Sequence, residues 1–466
     1  MPSRNEPVLT AAQMRAAEQA LIAAGTSVDT LMQRAGQGAA DYVWRIAGGR
    51  RVTVLCGPGN NGGDGYVIAE VVRARGGDAA VIAAADPATE AARMARSQYR
   101  GKVLGPDAEC RADVLVDCLF GTGLTRPLSP AHLALLQRLA ASHHTRVAVD
   151  LPSGVDSDLG LALNQDLPDY HLTLALGAWK FAHFLMPASA RMGAVRLVEI
   201  GVAPPVDAAG AIARPHLFAP AAAAHKYRRG LLGVIGGAMP GAALLAARAA
   251  QGAGAGYVRL LTDLAPAAPP DLVVDPAPLA KALGDTRYAA LLIGPGLGRD
   301  GAARERLMLA LAAPFPVVLD ADALVLLTPQ LLAERRAASI VTPHEGELHA
   351  LERAFGLDGA GSKAGRAAAL ARAIGGVVVA KGPDTVVASS DGRIALGHAA
   401  SSWLSTAGTG DVLAGTIASR LATRIDPFDA ACQGVWLQGD AARLCRPAFT
   451  AGQLAEAVQH AYAACL

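Results

Sequence analysis

The sequence predicts an α/β protein of two domains in tandem, each a parallel sheet flanked by helices. Three observations carry this. Apolar runs of strand length alternate with helical stretches along both halves of the 466-residue chain. One Pro/Ala-rich segment, residues 203–224, breaks the alternation and shows no strand pattern. The densest glycine clusters follow apolar runs, where a strand would turn into a helix. Length agrees, since roughly 150 residues per domain suggests two or three domains. The boundary is placed at 217, giving domains 1–217 and 218–466.

Taken in order, Thr10 with Gln13 predicts a capping box and a helix ending at Gly25. A second helix is expected from Thr26 or Ser27 through Ile46. Strands are expected at 51–56, 78–85, 113–120, 146–152, 171–176 and 194–200. Beyond the break, strands are expected at 231–237, 257–262, 288–294, 315–322, 338–343 and 375–382. From Asp411 onward the pattern is mainly helical.

Composition narrows the class. Hydrophobic residues make up 52%, too many for a disordered chain, and no G-X-Y period marks a collagen. With 42 basic and 40 acidic residues the net charge is +2, which predicts neither a nucleic-acid nor a membrane partner. The opening segment has no apolar stretch of signal-peptide type. The uncharged run between Arg229 and Arg248 is broken by glycines and reads as strand, turn and helix start. The six cysteines form no CxxC pair, so buried free thiols in a cytoplasmic protein are expected and a zinc site is not.

Candidate chemistry in the first half sits at three strand ends. Gly57-x-Gly59-x-x-Gly62 satisfies a dinucleotide fingerprint in form, with Asp86 ending the next strand. The fuller string Asn60-Asn61-Gly62-Gly63-Asp64 says more. Its glycines let main-chain N–H groups approach a phosphate, and its amides and carboxylate suit a hydroxyl or a hard cation. The competing reading is a plain Gly/Asn turn. Asp117 precedes Gly121-Thr122-Gly123, and Asp150 precedes Ser153 and Asp156. Each Asp alone reads equally as a helix cap. In a doubly wound sheet, ligands bind beyond the carboxyl ends of strands, so the three ends together point to one crevice.

The second half has no GxxxxGK[ST] loop. Gly408-Thr409-Gly410-Asp411 instead opens a helical pattern, offering backbone N–H groups to an anion. Asp411 stands beside that hole, where a carboxylate can take a proton from a hydroxyl undergoing phosphoryl transfer. A glycine turn with an acidic first turn is the alternative.

GNNGGDG, DCLFGTG and DLPSGVD resemble the NAD(P)H-hydrate epimerase family, the YjeF N-terminal domain, from Leu9 through the segment GAWKFAHFLMPASARMGAVRLVEIGV. The resemblance implies a Rossmann-like doubly wound domain. It places substrate on Asn60, Asn61, Gly62, Gly63 and Asp64 and on Gly121, Thr122, Gly123, Leu124, Thr125, Arg126 and Pro127. It makes Asp150 the residue that moves the proton at the epimerised carbon, and it gives K⁺ to Asn61, Asp117 and Ser153, an oxygen-only set. HKYRRGLLGVIGG (225–237), IGPGLG, DADAL, TPHEGE and AKGPDT are similar to the ADP/ATP-dependent NAD(P)H-hydrate dehydratase domain, which is ribokinase-like. That similarity places the hydrate on Ala242, Gly296, His344 and Asp411, and the nucleotide on Lys381, Gly382, Pro383, Asp384, Thr385 and Gly410. Read from its residues alone, His344 is equally a structural cap. Val325 and Glu345 depart from the family pattern, where Asn and Pro are frequent.

The resemblance thus implies a bifunctional isomerase and lyase. It would epimerise R- and S-NAD(P)HX and dehydrate the S form with ADP and Mg²⁺, giving AMP and phosphate. It also implies a homo-oligomer, with a tetramer expected. Rival readings are a ribokinase-like small-molecule kinase with an appended Rossmann domain, an NAD-dependent dehydrogenase and a non-catalytic nucleotide sensor. The HKYRRG, TPHEGE and KGPDT set opposes the first. The second lacks a substrate domain with a catalytic His or Lys. Retention of Asp150 and Asp411 opposes the third.

Overall fold

The computed structural model describes residues 6–110, 112–264 and 267–466. Residues 1–5 of the expected first domain therefore lie outside the described residues. The rest divides into two compact units, Glu6–Ala208 and Ala209–Leu466.

The first unit contains β1 (Pro7–Leu9), α1 (Ala11–Ala23), α2 (Val28–Ala47), β2 (Val52–Cys56), α3 (Asn60–Ala74), β3 (Ala79–Ala83), α4 (Glu90–Gln98) and β4 (Lys102–Leu104). It continues with β5 (Val114–Cys118), α5 (Pro130–Ala141), β6 (Thr145–Val149), β7 (Leu172–Leu176), β8 (Trp179–Lys180) and β9 (Ala194–Val198). The expected capping box forms: Thr10 caps α1, and the Gln13 side chain accepts the Thr10 N–H. Ser27 caps α2. Seven strands run in the order β4-β3-β2-β5-β6-β7-β9, all parallel. Every residue of β2, β5 and β7 is buried, which is why they read as continuous apolar runs rather than alternating ones. The chain winds outward from β2 to β4, then returns to β5 on the other side. The switch point thus falls between the carboxyl ends of β2 and β5, where the GNNGGDG turn and Asp117 lie.

The second unit opens with β10 (Ala209–Ala211), β11 (Leu231–Ile235), α6 (Pro240–Gly252), β12 (Tyr257–Leu261), β13 (Val273–Asp275), α7 (Leu279–Ala282), β14 (Tyr288–Ile293), α8 (Gly301–Ala312) and β15 (Val317–Leu319). There follow α9 (Asp322–Leu326), α10 (Pro329–Leu332), β16 (Ser339–Val341), α11 (Glu345–Ala354), α12 (Lys363–Ile374), β17 (Val377–Ala380), β18 (Val386–Ser389), β19 (Ile394–Leu396), α13 (Thr409–Ala422), α14 (Pro427–Leu444) and α15 (Ala451–Ala464). Within this unit the strand order is β13-β12-β11-β14-β15-β16-β17-β18-β19-β10, again with a switch point, here between β11 and β14. Nearly all of α13 is buried, and its Leu413, Ala414 and Ile417 join the core of the sheet.

Two expectations change. The compact units divide at Ala208/Ala209 rather than at 217, because β10 pairs in parallel with β19. That strand lies in the segment read as strandless: AGA has no strand propensity and becomes a strand only through its partner. The second sheet is also mixed, since β18 runs antiparallel to both β17 and β19. All six cysteines are free thiols. No described helix is long and apolar enough to cross a membrane.

Candidate active sites

In the first unit, β2 turns into α3 through Gly57–Gly59 with no side-chain cap on the helix. A Cβ on Gly62 would stand 1.9 Å from the Gly57 carbonyl oxygen, so only glycine lets the helix start fold this tightly on its own turn. Asn61 reaches the interior, and both polar atoms of its amide are buried without a hydrogen-bond partner. Asp117, fully buried near the carboxyl end of β5, accepts from Leu119 N–H (3.0 Å), Ser153 N–H (3.1 Å), Ser153 Oγ–H (2.8 Å) and the Tyr170 hydroxyl (2.5 Å). Burial pushes its carboxyl up, against these donors, which pull it down. Asn61, Asp117 and Ser153 supply amide, carboxylate and hydroxyl oxygens, a chemistry that fits a hard cation, and the orphaned Asn61 amide is a polar group lacking a partner.

Asp150 follows β6 with φ 67, a left-handed backbone that Asp tolerates and most residues do not. Its Oδ2 accepts from Thr122 N–H at 2.7 Å, and its Oδ1 pairs with Lys180 Nζ at 2.5 Å. Lys180 is 1% exposed and also donates to the Leu176 carbonyl. Burial alone would raise the Asp150 carboxyl, but the Lys180 ammonium and the Thr122 amide outweigh it and hold the group below the usual carboxylate range. His183 fixes the other end. Its Nδ1 accepts from Lys180 N–H at 2.9 Å, so its Nε2 carries the proton and donates to the Asp150 carbonyl at 2.8 Å. Burial lowers this imidazole to about 4, and it stays neutral. Asp64 faces the same pair. Burial, then Asp150 and Glu18, push it well above the carboxylate range.

The structure therefore gathers Asn61, Gly62, Asp64, Gly121, Thr122, Asp117, Asp150 and Ser153 at the expected crevice. Asn60, Gly123, Thr125, Arg126 and Pro127 are exposed and Leu124 packs partly onto the core, so this part of the set forms a rim. Asp86 pairs with Arg96 on the surface. Lys180, His183, Tyr170 and Glu18 were not anticipated. Lys180 left a trace: it is the one charged residue of the apolar stretch GAWKFAHFLMP.

In the second unit, Gly296 (φ 62) lies against the start of α6. A Cβ there would meet the Met239 carbonyl oxygen at 2.2 Å and the Ala242 Cβ at 3.1 Å. Two of the expected hydrate contacts, Ala242 and Gly296, are thereby neighbours. Gly408 (φ 90) begins α13 without a side-chain cap, and Asp411 stands in its first turn. Burial, then the nearby Asp320, raise the Asp411 carboxyl to about 7; Lys381 opposes this and Asp322 adds to it. Lys381 Nζ lies 3.5 Å from where a Gly410 Cβ would stand.

A cavity of about 600 Å³ opens here, lined by Lys381, Gly382, Pro383, Thr385 and Gly410 among others. Asp384 is the exception in the expected nucleotide set. It lies off that lining and pairs with Lys363 at 2.6 Å, so its carboxylate braces α12. His344 caps α11, its Nδ1 accepting from Gly346 and Glu347 N–H, while the ring remains exposed. The capping role left open by the sequence is thus realised. Asp320, anticipated only as a letter in DADAL, pairs with Lys381.

The chain matches the family described as YjeF-related protein N-terminus over residues 28–182 and NAD(P)H-hydrate dehydratase over residues 232–462. It is 34% identical to the bifunctional NAD(P)H-hydrate repair enzyme Nnr of Mycobacterium leprae (strain TN), across 93% of each chain. The chain belongs to the bifunctional NAD(P)H-hydrate repair enzymes. The Escherichia coli (strain K12) repair enzyme is 32% identical over 92% of this chain and 88% of its own. Among solved structures, the ADP/ATP-dependent NAD(P)H-hydrate dehydratase from Bacillus subtilis co-crystallized with ATP/Mg²⁺ is 29% identical, with a TM-score of 0.48, covering 54% of this chain and 95% of that one. Membership in the repair-enzyme family bears out the Rossmann-like and ribokinase-like pair and disfavours the small-molecule kinase with an appended Rossmann domain. One departure from the family pattern has a local explanation: Glu345 accepts from Arg366 at 2.6 Å and acidifies the first turn of α11. Val325 is exposed on α9, and nothing in the structure explains the change.

Proposed function

We propose that the first unit interconverts the R and S forms of NAD(P)HX and that the second dehydrates the S form with ADP, giving NAD(P)H, AMP and phosphate. The observation that carries the reading is Asp411. It is a half-buried carboxylate raised to about 7, standing in the first turn of an uncapped helix beside the cavity that Lys381 and Gly410 line.

Hydroxide leaves poorly from the hydrated ring. Asp411 accepts the proton of the ring hydroxyl as that oxygen attacks the terminal phosphorus of ADP, and AMP departs. Phosphate then leaves with the C–O bond electrons, and loss of a ring proton restores the double bond. The co-substrate is the magnesium salt of ADP, in which the metal offsets phosphate charge. Backbone N–H groups at the start of α13 receive the phosphate, and Lys381 stands over the same turn.

In the first unit, Asp150 exchanges the proton at the epimerised centre, with Lys180 as its fixed counter-charge. Asn61, Asp117 and Ser153 would hold K⁺, which supplies a positive charge to anchor the substrate. The N-terminus of α3 and the Gly121–Thr122 turn face the same crevice and would bind phosphate and ribose. We further assign the protein to the cytoplasm as a homo-oligomer, with a tetramer expected.

The test is direct. Acid-generated NADHX is supplied with ADP and Mg²⁺, and NADH is followed by its near-ultraviolet absorbance. Recovery of both epimers is expected; no recovery with either ADP or ATP would sink the proposal.

A further inference from the structure

The dehydration chemistry leaves the buried carboxylate of Asp320 unused. Asp320 follows β15 with its side chain 2% exposed. Its Oδ1 accepts from Thr342 Oγ–H at 2.7 Å and from Lys381 Nζ at 2.6 Å. A buried charge is costly unless paired, and the Lys381 ammonium, itself 16% exposed, supplies that pairing. The ammonium so held lies over the Gly410 turn, 3.5 Å from where a Cβ would stand. The Glu347 carboxylate is the other acid in reach, at 3.9 Å. Lys381 is therefore fixed from behind by Asp320 and faces the uncapped start of α13, where an anion is favoured.

We propose that Asp320 is a positioning residue, which stations the Lys381 ammonium over the Gly410 turn so that the terminal phosphate of a nucleoside diphosphate meets a preset cation. A consequence concerns Asp411, the next residue, and this part rests on the dehydratase reading. The charged groups facing Asp411 are Asp320, Asp322 and Lys381. When phosphate shares the Lys381 charge, Asp411 is left facing two carboxylates. Nucleotide binding thus makes the base stronger just when a hydroxyl must be deprotonated.

The test uses the full chain with Asp320→Asn, Lys381→Met and the double variant. ADP binding is measured by titration calorimetry without any hydrate, so failed turnover leaves this arm intact. Asp320→Asn should weaken ADP binding about tenfold, the scale of a charge-assisted contact. The double variant should bind no more weakly than Lys381→Met alone. Binding within about twofold of the parent, or full additivity in the double variant, overturns the proposal. Asp320→Glu keeps the charge but moves the ammonium, and it too must weaken binding; this arm stands if Asp320→Asn fails to fold. Thr342→Val disturbs the same buried spot and should lower the melting temperature while sparing ADP binding. In Asp320→Asn the acid limb of dehydration should move to lower pH by at least about half a unit; an unmoved limb overturns the consequence for Asp411.

Discussion

Replacing Asp411 by Asn should make the protein more stable at alkaline pH and nearly inactive as a dehydratase. In the folded state the carboxyl titrates at about 7, against an ordinary 3.8. Between those values the folded protein keeps a proton that the unfolded chain releases. Stability is therefore lost as pH rises through this window, and the full cost is present above it. Undiscounted, the shift corresponds to roughly 4 kcal/mol. The carboxyl is only half-buried, and solvent screening reduces the figure to on the order of 1–2 kcal/mol. Asn carries no such cost. Calorimetric melts of the full chain should show the ADP-sensitive transition shifted upward in Asp411→Asn by about 2–4 °C per kcal/mol at pH 8, with roughly a third of that difference at pH 5. NADH recovery from S-NADHX should fall by about 10²–10⁴-fold. In the parent protein the dehydration rate should drop about tenfold per pH unit below 7. An equal melting difference at both pH values, or a less stable Asn variant at pH 8, would refute the assignment of a strained carboxyl.

Three further outcomes are expected. Lys180→Met strands the buried Asp150 charge and should cost about 3–5 kcal/mol in the first unit, most of it recovered in Lys180→Met/Asp150→Asn; a single-variant cost below about 1 kcal/mol in denaturant melts would contradict the buried pair. Gly62→Ala drives a Cβ into the Gly57 carbonyl at 1.9 Å and should yield no soluble protein, whereas Gly59→Ala meets nothing within 4 Å and should fold normally, a contrast read by expression and circular dichroism. Exchanging K⁺ for choline should slow R-epimer conversion but not S-NADHX dehydration, and Asn61→Ala should abolish that response; equal sensitivity of both reactions would remove the cation from the first unit.

Strands such as Val52–Cys56 and Val114–Cys118 were legible because both faces of a parallel strand are buried and the run is apolar throughout. The strand-end residues Asp117 and Asp150 were legible for the same reason, since each interrupts or follows such a run with chemistry the core cannot use, and Asp411 was legible from the glycine turn that opens α13. β10 was not legible, because Ala-Gly-Ala carries no pattern and is defined by β19. β18 and β19 are short and belong to a turn-rich segment, where periodicity has too few residues to register. The partners of the key acids were hidden by sequence distance. Lys180 reaches Asp150 across thirty positions, and Lys381 reaches Asp320 across sixty-one. Asp384 shows the converse: motif membership suggested a ligand contact, while its neighbour Lys363 claims the carboxylate.

The two sites set their acids by opposite use of one device. Each unit carries a carboxylate–lysine pair, all but buried, beyond the carboxyl ends of parallel strands. In the first, the lysine pairs with the proposed acid/base itself, and Asp150 stays ionised at neutral pH despite its burial. In the second, the lysine pairs with a neighbour. Asp411 then faces Asp320 without its own partner, and its proton affinity rises. The same two residue types can therefore hold one carboxylate charged or make another hungry for a proton, depending on which acid receives the ammonium. A hydroxyl undergoing phosphorylation needs the second arrangement, because an ordinary carboxylate near 4 would be too weak a base for it. This is the physical reason to look for the dehydration base at Asp411 and not at the better-paired Asp320.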